Sequence, residues 1–171
     1  MKILLFGKDG QVGWELQRAL SPLGELIALN EQQADFLEPG RLREQVREIK
    51  PDVIVNAAAY TAVDKAESDP DKAGRINAEA VGVLAEEAQR LHAWLVHYST
   101  DYVFDGEKTT PYDEEDGTNP LSVYGRTKLA GDQLIAQAGA NHLIFRTSWI
   151  YAARGSNFAK TMLRLAKERD Q

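Results

Sequence analysis

Apolar residues in this chain fall into short unbroken runs, each followed by a longer stretch where they recur every three or four positions. Lys2–Phe6 carries Ile3, Leu4, Leu5 and Phe6 without a polar break, the pattern of a strand buried on both faces. Val12, Leu16, Ala19, Leu20 and Leu23 then share one side of a helix. The alternation repeats. Leu26–Leu29 reads as a second strand, Gly40–Lys50 as a helix with Leu42, Val46 and Ile49 on one face, and Val53–Val55 as a third strand. Asp64–Pro70 is polar, a loop or an irregular helix start. Asp71–His92 reads as one long helix whose apolar side carries Ile76, Ala80, Val83, Leu84, Ala88 and Leu91, interrupted by Asn77. Trp94–Tyr98 and Leu143–Phe145 are the fourth and fifth strands. Between them lies a helix starting at Pro120, a residue suited to the first turn because its missing N–H costs nothing there. Asn157 caps a last helix, with Phe158, Met162 and Leu165 on one face, running to Gln171. Strands alternating with helices predict an α/β fold: a Rossmann-like, doubly wound parallel sheet with helices on both faces, in a single domain over residues 1–171.

Composition narrows the function classes. Asp and Glu number 26 against 20 Lys and Arg, a net charge of −6, which argues against a nucleic-acid partner. There is no cysteine, so disulfides and thiolate zinc sites are excluded and a reducing cytoplasm is the expected compartment. No apolar run approaches the roughly 20 residues of a membrane span, and Ile3–Phe6 is too short for a signal-peptide core. No metal-ligand pattern stands out.

Candidate chemistry gathers at the carboxyl ends of the expected strands, where doubly wound folds bind ligands. The first strand breaks at Gly7, and Gly7, Gly10 and Gly13 follow a G-x-x-G-x-x-G spacing before a helix. Glycines let backbone approach a pyrophosphate, and free N–H groups at a helix start attract the anion. Gln11 and Val12 belong to this loop. The second strand ends at Asn30, with Glu31 beside it and no Arg near. Neither the carboxylate that selects NAD nor the guanidinium that selects NADP is in place, so NADH and NADPH are both expected. Asp35 is a candidate acceptor for an adenine and Phe36 a candidate packing surface. After the third strand, Ala57 to Thr61 offers small side chains against which a ligand can lie. The fourth strand delivers Ser99, Thr100 and Asp101. Asp105–Asn119 is rich in turn formers and acids, a loop beside the site. Tyr124 and Lys128, four apart, share one helix face. A phenol near a permanent ammonium gives up its proton more readily, which makes Tyr124 a candidate general acid or base.

This constellation resembles the extended short-chain dehydrogenases/reductases. The segments GKDGQVGWEL (Gly7 to Leu16), PDVIVNAAAYTAVDKAE (Pro51 to Glu67), HYSTDYVFDG (His97 to Gly106), YGRTKLAG (Tyr124 to Gly131) and RTSWIY (Arg146 to Tyr151) narrow the resemblance to the dTDP-4-dehydrorhamnose reductase family. The resemblance implies reduction of the C4 ketone of dTDP-4-dehydro-L-rhamnose to dTDP-L-rhamnose, an activated sugar for cell-surface polysaccharides. It implies Tyr124, Lys128 and Thr100 as catalytic residues, with Lys128 holding the nicotinamide ribose and lowering the Tyr124 pKa. Cofactor contacts then fall on Gly10, Gln11, Val12, Asp35, Phe36, Ala59, Tyr60, Thr61 and Tyr98, and substrate contacts on Thr100, Asp101 and Trp149. Members of the family continue past the position of Gln171, so these residues are expected to hold the cofactor half. The resemblance also raises magnesium at Glu15 and a homodimer contact; a solvated glutamate is the simpler reading.

Two rivals remain. Sugar-nucleotide dehydratases and epimerases share the fold, but a dehydratase places Asp-Glu after the strand-four Thr, and here Asp101 is followed by Tyr102. A dinucleotide-binding regulatory subunit, like the related beta subunit of methionine adenosyltransferase, would need no intact Thr100, Tyr124 and Lys128.

Overall fold

The structure is a computed structural model and describes residues 1–168; the end of the expected last helix at Gln171 lies outside these. Five parallel strands, β1 (Lys2–Phe6), β2 (Glu25–Leu29), β3 (Val53–Asn56), β4 (Trp94–Thr100) and β5 (Asn141–Thr147), form one sheet in the order β2-β1-β3-β4-β5. The order reverses between β1 and β3. Diverging loops open a crevice there, at the strands' carboxyl ends.

Side-chain alternation along β1 builds two unequal cores. Leu4 and Phe6 face a large cluster with Ile54, Leu95, Leu42, Val46, Leu84 and Ile135, contributed by α2 (Pro39–Ile49), α5 (Ala80–Leu91) and α6 (Val123–Ala138). Ile3 and Leu5 face a smaller one with Val55, closed by Leu16 and Leu20 of α1 (Gln11–Leu20). The second face is covered only over its middle and the β2 side. Leu143 and Phe145 on the edge strand β5 stay about half exposed.

The loop from β1 into α1 depends on two glycines. Gly7 has φ +82°, and a Cβ there would lie 2.7 Å from backbone atoms of Ala57 and Ala58. Gly13 opens no space at all: its Cβ would sit 2.0 Å from the Gly7 carbonyl oxygen. Helix α1 is therefore seated directly on the loop. We expect Gly13→Ala to force the two apart and destabilise the fold by roughly 3 kcal/mol, at the upper end of overpacking costs. A chemical-denaturation midpoint unchanged from that of the parent would contradict this contact.

Two elements depart from the sequence reading. Pro120 does not start α6; Ser122 does, its hydroxyl accepting from Gly125 N–H at 3.0 Å. A serine side chain caps the free N–H groups, whereas proline offers only a compatible φ. Glu67, just after α3 (Val63–Ala66), adds a carboxylate that accepts from Val123 N–H at 2.7 Å. The expected Asp71–His92 helix is also not uniform. It comprises α4 (Pro70–Gly74), a π-helical turn at Arg75–Glu79, and α5. Asn77 sits in that turn, 1% exposed, and both its amide atoms reach Tyr60: Oδ1 accepts from Tyr60 N–H at 2.9 Å and Nδ2 donates to Tyr60 carbonyl at 3.1 Å. Wide π turns occur mostly where a helix has a local task. Here it is to hold the strand-three edge.

Behind the sheet, α2 and α5 are pinned by a buried acid. The Glu87 side chain is 1% exposed and accepts from Arg43 (2.9 Å), Arg47 (2.8 Å) and Arg90 (2.7 Å). Burial alone would raise its pKa, but the hydrogen bonds from Arg47, Arg90 and Arg43 prevail and bring it to about 2. The last described helix, α7 (Phe158–Glu168), is capped as expected: Asn157 Oδ1 accepts from Lys160 N–H at 3.0 Å.

Candidate active site

A cleft of about 700 Å³ opens at the β1/β3 reversal. The glycine loop supplies Gly7, Gly10, Gln11 and Val12; the end of β2 supplies Asn30, Asp35 and Phe36; the β3 exit supplies Ala57 through Thr61. These are the segments that sequence alone marked for a cofactor. Gly13, Tyr98, Tyr124 and Lys128 do not line it. Gly13 acts one layer back, through the contact with Gly7, and Tyr98 is half-buried on the α1 side, 5.9 Å from the Phe145 ring. Phe36 is 5% exposed and packs edge-on against Phe6, so it serves core and cleft together. Asp35 Oδ1 accepts from Leu37 N–H at 2.8 Å, a local turn bond that leaves the other oxygen to the cleft. Lys72, Ile76, Ile150 and Gly155 also line it and were not foreseen. Ile150 and Gly155 arrive from beyond β5, a pairing invisible to local pattern.

The cleft fits a dinucleotide on two observations. Glycines at Gly7 and Gly13 let the loop close directly on Ala57, Ala58 and α1, leaving its backbone at the cleft wall, and the Tyr60 hydroxyl is buried with no hydrogen-bond partner in the protein. Asn30 is already engaged, its Nδ2 donating to Asp9 Oδ2 at 3.1 Å and its Oδ1 accepting from Gln33 N–H. Glu15 pairs with Arg18 at 3.1 Å, and among the described residues no group of three His, Asp or Glu side chains gathers as metal ligands do.

At the β4 exit, Thr100 Oγ1 accepts from Tyr102 N–H at 3.2 Å and donates to Asp101 Oδ1 at 3.1 Å. Asp101 Oδ2 accepts from Ser148 Oγ at 2.6 Å, which ties this turn to the end of β5. Trp149 follows in a left-handed conformation, φ +48°, 69% exposed, against the Phe158 ring at 4.9 Å. Tyr102 stands edge-on to Tyr124, ring centroids 5.7 Å apart.

The Tyr124–Lys128 pair corrects the expectation drawn from its spacing. Lys128 is not an exposed ammonium on an open helix face. It is 1% exposed and reaches under β4, its Nζ donating to the Tyr98 carbonyl at 2.7 Å and meeting His97 Nε2 at 3.1 Å. Burial lowers its pKa to about 8, with Asp132 opposing. The Tyr124 pKa is raised, first by burial; the Thr100 hydroxyl pulls it down, while Asp101, Tyr102 and Asp132 push it up. Tyr124 therefore holds its proton at neutral pH. That is the form needed to donate one.

A parallel doubly wound sheet, a glycine-loop cleft at its reversal point and a Thr, Tyr and Lys set on β4 and α6 together define a short-chain dehydrogenase/reductase fold. The model of the RmlD substrate binding domain family matches residues 1–171. This chain belongs to that family. It is 61% identical over 175 residues to a dTDP-4-dehydrorhamnose reductase of Shigella flexneri, covering 100% of this chain and 58% of that protein. The crystal structure of a Clostridium acetobutylicum dTDP-4-dehydrorhamnose reductase superposes with TM-score 0.95 at 43% identity, over 99% of this chain and 61% of that one. A Bacillus anthracis dTDP-4-dehydrorhamnose reductase in complex with NADP gives 0.93 at 39%, over 98% and 60%. The chain thus spans about three-fifths of the length of these relatives.

Proposed function

We propose that residues 1–171 form the cofactor-binding and proton-donating unit of an NAD(P)H-dependent ketoreductase, acting on dTDP-4-dehydro-L-rhamnose to give dTDP-L-rhamnose in the cytoplasm. What carries this reading is the coincidence of chain-long likeness to a dTDP-4-dehydrorhamnose reductase with an intact Thr100, Tyr124 and Lys128 set. When bound, the reduced nicotinamide supplies a hydride to the ketone carbon. Tyr124, protonated at neutral pH, donates to the oxygen as negative charge develops there. Thr100 orients the phenol, and Asp101, anchored through Ser148, keeps the β4 turn in place for the sugar. Tyr102 follows Asp101 where a dehydratase needs a second carboxylate, so reduction is the reaction the site is equipped for.

The deciding assay extends the chain to the length of its relatives and supplies dTDP-4-dehydrorhamnose with each reduced cofactor. Loss of absorbance at 340 nm with formation of dTDP-rhamnose is the expected result. Tight dinucleotide binding without turnover would favour a regulatory subunit instead. Because Asn30 is committed to Asp9 and Gln33, and among the described residues no guanidinium lines the cleft, NADH and NADPH should differ in affinity by less than about tenfold, or 1.4 kcal/mol. Calorimetric Kd values a hundredfold apart would show that another side chain reads the ribose.

A further inference from the structure

Beneath the proposed reaction centre, side chains from three elements close around the Lys128 amine. Asn56 ends β3, His97 pairs with it in register on β4, and Asp132 lies one helical turn after Lys128 on α6. Asn56, His97 and Lys128 are each at most 1% exposed, and Asp132 is 5%. None of the three neighbours has a part in the reaction above.

The hydrogen bonds determine where the protons sit. Ala58 N–H donates to Asn56 Oδ1 at 3.0 Å. A backbone N–H can only donate, so the carboxamide turns its NH₂ toward His97 Nδ1, 3.1 Å away. That NH₂ also only donates. Nδ1 is thus the lone-pair nitrogen, and the neutral ring carries its proton on Nε2; burial, the larger cause, keeps the ring neutral, and Lys128 adds to it when it is charged. Nε2 faces Lys128 Nζ at 3.1 Å and Asp132 Oδ1 at 3.8 Å. An ammonium has three donors and no acceptor, so it meets this N–H proton to proton. A neutral amine has a lone pair and can accept it. Asp132 Oδ1 meanwhile is buried with no partner, while Oδ2 accepts from Ser99 Oγ at 2.6 Å.

We propose that His97 is a positioning residue for Lys128: fixed by Asn56 as the Nε2–H tautomer, it offers a donor that only the neutral amine can accept and so eases loss of the Lys128 proton in the cofactor-free site, and it turns its N–H toward Asp132 Oδ1 when the amine takes up a proton and turns to a ligand. Only the ligand in that last step rests on the cofactor reading; the tautomer and the eased loss of the Lys128 proton derive from the protein alone. The charges around the cluster agree. Asp132 and Tyr124 come from α6 itself, Arg146 from β5 with its Nε 4.0 Å from Asp132 Oδ2, and Asp101 and Tyr102 from the turn after β4. Glu67 meets only the first residue of α6, at Val123. The π turn and α5 meet α6 through Asn77, Val81 and Gly82, all uncharged. Among the described residues, Asp132 is the carboxylate placed to receive the displaced N–H. An anionic dinucleotide brought to Lys128 then draws one proton from solvent onto Nζ, and the two protonation states of the amine correspond to two partners for one histidine proton.

Nitrogen-15 NMR of the cofactor-free 171-residue chain reads the tautomer directly, and carbon-13 at Lys128 Cε reads the amine. The expected result is Nε2–H at His97 between pH 6 and 9, and a Lys128 midpoint near 8, well below the ordinary lysine range. His97→Asn keeps an acceptor for Asn56 and removes the Nε2–H, so the Lys128 midpoint should rise by about one pH unit, a tenfold gain in proton affinity. An Nδ1–H tautomer, or Lys128 titrating in the ordinary lysine range, overturns the proposal, and both are read on the parent chain even if the variant does not fold. Calorimetry with NADPH at pH 8.5, in two buffers of different ionisation enthalpy, should show proton uptake on binding. Binding without uptake overturns the coupling to Lys128. No binding at all removes the cofactor reading and leaves the tautomer result standing.

Discussion

Tyr124→Phe, introduced into a chain extended to the length of its relatives, is expected to lower turnover by about 10²–10⁴-fold while leaving dinucleotide affinity within about twofold. The factor is the usual contribution of a positioned general acid. The split between the two effects comes from the site. Tyr124 lies at the Thr100 turn, against the Tyr102 ring, and is not among the residues lining the 700 Å³ cleft, so removing one oxygen deletes the proton and little else. Because the phenol pKa is raised by burial, the parent enzyme should keep its reductive rate through neutral pH and lose it only as the phenol ionises on the alkaline side. A rate within a few fold of the parent would remove Tyr124 from the mechanism. A matched loss of dinucleotide affinity would mean that the ring serves the cofactor.

The second large effect is on stability and lies far from the cleft. Glu87→Ala leaves the guanidiniums of Arg43, Arg47 and Arg90 facing one another across a void. Breaking a buried pair in this way costs about 3–5 kcal/mol, or roughly 6–20 °C in Tm for a chain of this size. Glu87→Gln separates charge from packing, through its pH dependence. The folded-state pKa of Glu87 is depressed, from 4.5 to about 2. Its contribution is therefore fully present above pH 4.5 and is lost as pH falls toward 2. That difference converts to roughly 3 kcal/mol. Stability measured by denaturation from pH 6 to pH 2 should fall steeply in the parent and more gently in Glu87→Gln. Parallel pH profiles would show that the three arginines do not act through the Glu87 charge.

The strands and most helices were legible because their signal is local. Ile3 to Phe6 could hardly be anything but a buried strand, and the glycine spacing after it had one reading in that context. Pro120 offers a helix start only a compatible φ, and Ser122, two residues on, is the stronger signal because its hydroxyl caps a free N–H. Asn77 did break the apolar face of the long helix, but a polar residue cannot by itself announce a π turn; its reason is Tyr60, seventeen residues earlier. The Tyr124–Lys128 spacing correctly placed both residues on one helix. It could not reveal that Lys128 is drawn under β4, since the atoms drawing it, the Tyr98 carbonyl and the His97 ring, belong to another element. Even so, Leu95, His97 and Ser99 alternate on the face that meets α6, and Asp132 lies four residues after Lys128. Polar residues in phase with an apolar strand face require buried partners, and that was the available clue.

The π turn at Arg75–Glu79 has a consequence for how this length of chain can vary. Each residue of an α-helix advances the winding by about 100°, and a π turn accommodates an extra residue without disturbing the helix on either side. Removing any one residue between Arg75 and Glu79 would leave a regular helix with every backbone hydrogen bond intact. It would also swing the helix before the deletion about a quarter of the way round the axis relative to the helix after it. Asn77 could then no longer face Tyr60 and Thr127 while Val81 and Leu84 stayed in the core. The stretch is one in which a shortened protein can look well folded by circular dichroism and yet have lost the edge of its ligand cleft. Insertions and deletions here are thus read out in recognition before they are read out in helix content.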